Sequence, residues 1–175
     1  MERSKSALLS VTHWIVSVCI AADVFLGMGM IFGAAAVLFA WQLFVKTFDM
    51  HHFVIADSAT RLNLLGVFLI GTGIAVAVLA ILNRLRLIII TVRHGDPFVP
   101  VNVQRLQAIG WFMVLIQIAC IPFLYLSHAT LSPASEQHLF TVHSLNGLMA
   151  ILLAFVLAGI FEKASAMRTD LEGTV

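Results

Sequence analysis

Charge is nearly absent from long stretches of this chain and crowded into short ones. Four charge-poor runs stand out: one within Ala7–Val45, then Leu64–Leu82 (19 residues), Leu106–Leu126 (21) and Val142–Phe161 (20). About 20 apolar residues wound as a helix cross a hydrocarbon core roughly 30 Å thick. Helix is the form required there, because lipid offers backbone N–H and C=O groups no partner. The pattern predicts an all-α protein, a four-helix transmembrane bundle, with spans at about 14–41, 63–83, 106–126 and 142–161 and a connector at about 84–105. No repeat, low-complexity tract or second domain interrupts it, so residues 1–175 read as a single integral membrane domain.

The first run covers 39 residues with Asp23 as its only charge. That exceeds the roughly 7–15 apolar residues of a cleaved signal segment, and it also exceeds one bare crossing. Trp14 and Trp41 lie 27 residues apart, about 40 Å along a helix, which matches the distance between the two aromatic belts of a bilayer. The crossing is therefore placed between them, with an interfacial lead-in before Trp14.

Composition agrees. The chain is 61% hydrophobic and only 11% charged, whereas about a quarter of the residues in a soluble domain carry charge. A net charge of +1 leaves no basic face for nucleic acid, so no direct nucleic-acid partner is expected. Cationic residues set the orientation. With the N-terminus inside, the inner side carries Arg3, Lys5, Arg84, Arg86, Arg93, Arg105, Lys163 and Arg168, and the outer side only Lys46 and Arg61. The bias places both termini in the cytoplasm.

The connector is the most punctuated part of the chain: "RHGDPFVPVNVQRLQAIGW", Arg93 to Trp111. Before it, Leu85, Ile88, Ile89 and Val92 repeat at i, i+3, i+4 and i+7, an apolar helical stripe. The second helix should therefore run on to about His94. Gly95 is placed to end it in a left-handed cap, and Pro97 and Pro100 forbid its continuation. The third helix should start near Pro100 to Asn102, where Pro suits a first turn and Asn a cap.

Small residues mark where helices can touch: Gly29 and Gly33, Gly71 and Ala75, and the ladder Ala150, Ala154, Ala158. They read as packing within the chain, with a homo-oligomer interface as the alternative. Cys19 and Cys120 fall inside apolar runs and read as buried free thiols.

Chemistry is harder to find. Asp23 lies nine residues after Trp14, deep enough to need a partner, a proton or water. It reads either as a proton or cation site or as an acid hydrogen-bonded to Thr72, Gln117 or Asn146. Asp23, Gln117 and Asn146 are thus the candidate intramembrane polar group. His51, His52, His138 and His143 gather on the outer side and make a candidate metal site, since neutral imidazole suits zinc, copper or nickel. No zinc-protease or paired-cysteine motif accompanies them. No nucleophile elbow, phosphate loop or dinucleotide fingerprint occurs either, so neither an enzyme nor a cofactor is expected.

The segment "GDPFVPVNVQRLQAIGW", Gly95–Trp111, and the ending "LAFVLAGIFEKASAMRTDLEGTV", Leu153–Val175, resemble a family of bacterial membrane proteins catalogued as domain of unknown function 2975. The four-span layout extends the likeness over nearly the whole chain. The resemblance implies an inner-membrane location and a cytosolic partner, a small helix-turn-helix regulator, that the protein would hold or sense. The expected function is then a regulatory binding module. Its partner-binding face would be Arg84, Arg86, Arg93, Asp96, Phe98, Asn102 and Arg105, with Asp170 and Val175 of the tail beside it. Ion or metal sensing or transport through Asp23 and the outer histidines is the competing expectation, and a structural membrane subunit the third.

Overall fold

The last three long helices outrun the apolar stretches that seed them. The computed structural model describes residues 2–47, 58–131 and 139–172. These form α1 (Glu2–Phe39), α2 (Trp41–Thr47), α3 (Ser58–Arg93), α4 (Pro100–Leu131) and α5 (Leu139–Glu172), and no strand occurs among the described residues. Four stretches are long and apolar enough to cross a membrane: Val11–Phe39, Ser58–Arg93, Pro100–Thr130 and Leu145–Arg168. This is the signature of a multi-pass membrane protein. The 36 residues of α3 make a rod about 54 Å long, well beyond the roughly 30 Å of a hydrocarbon core.

The exposed faces are as apolar as the packed ones. Trp14, Phe25, Phe32 and Phe39 point outward from α1, and Trp111, Ile118 and Tyr125 from α4. A helix that is apolar all round belongs in lipid or in the middle of a large core. Cys19 is exposed on α1 rather than buried, and Cys120 is half-buried; both thiols are free. Lipid serves a small apolar thiol as well as a protein core does.

The long helices pack antiparallel and in chain order, α1 on α3, α3 on α4 and α4 on α5. Among the described residues α1 and α5, the two ends of the series, share no packed interface, so the bundle is an open row. Glycines set the close approaches. Gly27 meets Ala75 and Gly71 meets Met30, both between α1 and α3, while a Cβ at Gly33 would run into the Phe68 ring. Gly66 lies against Leu126, Gly110 against Phe155 and Gly147 against Gln117. These serve packing within the chain. Gly29 does not share the role of Gly33, because its face turns away from α3 and meets nothing. Ala154 and Ala158 of α5 are buried.

The first apolar run does not continue straight to Trp41. Helix α1 ends at Phe39 and α2 begins at Trp41, with Ala40 carrying the backbone hydrogen bonds across the break. The break buries Phe44 and Val45 with Val37 and Leu64, and Trp41, Leu65 and Phe68 pack around them. Arg61 caps the break. Its Nε donates to Val37 O at 3.0 Å and its Nη2 to Leu38 O at 2.7 Å, satisfying carbonyls that a helix C-terminus leaves without partners. A cation also suits that end of the helix dipole. The guanidinium lies 6.0 Å from the Trp41 ring centroid.

Candidate functional site

Antiparallel packing brings the start of α1, the α3–α4 connector and the end of α5 to one end of the row. The connector is ordered by local chemistry first. Gly95 has φ +85°, the left-handed conformation that glycine adopts without steric cost. Its N–H donates to Val92 O and that of Asp96 to Thr91 O, the paired bonds of a Schellman cap. The helix therefore ends at Arg93 for the reason its sequence gives. Pro100 then opens α4, its missing N–H falling where no helical partner exists.

Asn102 is the centre of this end. Its side chain is fully buried, at 0% exposure. Nδ2 donates to Thr91 Oγ1 at 2.7 Å and to Pro97 O at 2.9 Å, and Oδ1 accepts from Arg105 Nη1 at 2.9 Å. Arg105 Nη1 also donates to Leu87 O at 3.3 Å. Asn102 thus ties the end of α3, the extended connector and the first turns of α4 together. It does not act as the helix cap that its position suggests, because the preceding Pro100 starts the helix and places Asn102 inside it. Ile88, Ile89, Val103 and Ile109 of the same two helices are also buried.

The tail joins the connector. Phe98 packs on Phe161 of α5, with ring centroids 5.2 Å apart, and Arg168 of α5 forms an ion pair with Asp96. The side chains of Arg168 and Asp96 stay 47% and 37% exposed, and Phe98 is 39% exposed. Arg86, Arg93 and Asp170 are exposed, while Arg84 and Arg105 are half-buried. Of the sequence-derived face, then, Asn102 is internal, Asp96 and Phe98 bind the tail, and Arg86 and Arg93 are open to an approaching molecule. Val175 lies outside the described residues. The sequence reading missed Phe161 and Thr91, for which nothing but their apolar and helical neighbours gave a signal.

The intramembrane polar residues are not brought together. Asp23 lies on the α1 stripe that faces α3, in heptad register with Val16 and Met30 and a helical turn from Gly27. Among the described residues no hydrogen bond or ion pair reaches its carboxyl. The expected partners are elsewhere. Thr72 donates to Phe68 O of its own helix. Gln117 and Asn146 sit on α4 and α5, which α1 does not pack against; Gln117 lies against Gly147 and Asn146 is exposed. His51, His52 and His138 lie outside the described residues, and His143 falls in the opening turns of α5. No group of three or more His, Cys, Asp or Glu that could hold a metal occurs among the described residues.

Compared with known proteins, residues 12–175 match the family model described as "Protein of unknown function (DUF2975)". No curated protein and no solved structure matches the chain.

Proposed function

Because the chain belongs to the DUF2975 family, whose description assigns no activity, its role has to be argued from its own geometry, and we propose that it is a membrane-anchored binding module. In this reading the connector and the C-terminal helix present one joint surface to a soluble protein partner. The observation that carries it is the junction of Asp96 with Arg168 and of Phe98 with Phe161. Two segments far apart in sequence are held side by side through contacts that remain partly open to solvent. Arg86 and Arg93 stand exposed on the same end. A partner that binds them can therefore read the position of α5 as well as that of the connector.

The eight-to-two distribution of Lys and Arg favours a cytosolic position for this end. The likeness in the connector and tail favours a small helix-turn-helix regulator as the partner. The ion pair contributes little to stability, since exposed pairs are typically worth about 0–1 kcal/mol, so opening it costs a partner little.

The test is in-cell crosslinking from a photoreactive residue at Arg93. A single soluble protein should be captured, and capture should be lost when the chain is cut after Met167 and Phe98 is changed to Ala, while membrane insertion is unchanged. Capture that survives both changes, or none in the intact protein, refutes this reading.

A further inference from the structure

Two arginines near the connector end have no acid beside them. Arg84 places its guanidinium 4.7 Å from the Phe112 ring centroid and donates from Nη1 to Ala80 O of its own helix. Arg105 donates from Nη1 alone, to Asn102 and to Leu87 O. A guanidinium carries five N–H donors. Among the described residues the remaining donors of both groups meet no acceptor, and neither arginine forms an ion pair. Two half-buried cations, positioned by a ring and by backbone carbonyls, are thus left with donors to spare.

An apolar track runs from them into the membrane. On α3, Ile70, Ala77 and Arg84 are spaced seven apart; on α4, Ala119, Phe112 and Arg105 are spaced seven apart. Seven-residue spacing keeps side chains on one stripe of a packed helix pair. The far part of both stripes borders an open groove of about 260 Å³ between α3 and α4, whose lining includes Ile70, Gly73, Ala77, Leu115, Ile116 and Ala119. Small residues make the space: nothing stands within 4 Å of where a Cβ on Gly73 would be. The groove begins about 10 Å and ends about 21 Å from Arg84 along the helix axis, a depth that brackets the roughly 15 Å half-thickness of a hydrocarbon core.

A molecule that fits this track needs an anionic oxygen group at one end and a hydrocarbon chain at the other. We propose that this face of the α3–α4 pair binds one glycerophospholipid, its phosphate between Arg84 and Arg105 and one acyl chain in the groove beside Gly73, Ala77 and Ala119. Arginine suits the phosphate because its planar fork gives charge-assisted bonds to paired oxygens. The groove supplies the second determinant, which a free phosphate would not use. The site needs neither the tail nor Phe98, although Arg105 is bonded to Asn102 of the connector end.

The experiment is native mass spectrometry of the full-length protein in detergent, titrated with phosphatidylglycerol. Competing arms use diacylglycerol, which has the chains without the phosphate, and inorganic phosphate, which has no chain. One phosphatidylglycerol should be retained per chain, and neither competitor should displace it at equal concentration. Arg84→Gln, which removes a guanidinium hydrogen-bonded within its own helix and resting on the Phe112 ring, should weaken retention about tenfold. Gly73→Leu, placed in open space, should fill the groove and weaken it similarly with the fold intact. Displacement by diacylglycerol, displacement by phosphate, or unchanged retention in the Gly73→Leu protein would each overturn the proposal. The competition arms use the unaltered chain, so a variant that fails to fold does not leave the question open.

Discussion

The two ends of α3 are secured by opposite kinds of chemistry. At the Ser58 end, Phe44, Val45, Val37 and Leu64 close over one another, and Arg61 fastens the break through carbonyls of α1. At the Arg93 end, the closing element is a buried amide, Asn102, whose bonds reach three separate pieces of chain. Apolar burial is non-directional and tolerates small shifts. A satisfied buried amide fixes one geometry, and it is costly to leave its partners unmet. The comparison teaches that the first end is a seal and the second a specified shape. A specified shape, with an exposed ion pair beside it, is what a surface meant for recognition requires.

Three substitutions put that difference to the test. Phe44→Ala should have the largest effect, about 3 kcal/mol, because it opens a cavity in the cluster that packs α2 against α1 and α3; urea unfolding in detergent should show it, and binding at the connector end should be unaffected. Asn102→Ala comes next, at about 2 kcal/mol, since Thr91 Oγ1 keeps its bond to Ile88 O while Pro97 O and Arg105 lose a partner. Unlike the first change, it should also loosen the connector, read as faster amide hydrogen exchange over residues 95–102. Arg168→Ala should cost less than about 1 kcal/mol, as expected of an ion pair this exposed. If it destabilises the protein as much as Asn102→Ala, the tail is part of the specified shape rather than an attachment to it.

How much of this could be read from the sequence depends on the range of the interactions. The stop at Arg93 and the start at Pro100 were legible, because Gly95 and the two prolines act on their own backbones. The four apolar helices were legible from run length alone. The break at Ala40 was not. Residues 34–45 are apolar but for Gln42, and the carbonyls at the break are held by Arg61, more than twenty residues away. The role of Asn102 was half legible: its place beside Pro100 was right, but a cap and a buried hub share the same local signature. Asp23 was visible as an anomaly, yet of the partners expected for it Thr72 bonds to its own helix and Gln117 and Asn146 sit on helices that α1 does not pack against, and no property of a single helix gives the order of helices in a row. The meeting of Asp96 with Arg168 spans 72 residues and left no trace in either segment's pattern.

The packing of each long helix against its chain neighbours has a consequence for how the protein is made. In a closed ring of helices the first must wait for the last before its surface is complete. Here α3 completes the interface of α1, and α4 that of α3, in the order in which the chain leaves the ribosome. Contacts between neighbours in sequence are formed quickly, so assembly can keep pace with synthesis. The connector end is the exception, since it is finished when α5 delivers Phe161 and Arg168. The surface proposed for recognition is thus the last part of the protein to exist, and an incomplete chain would be inserted but would not present it.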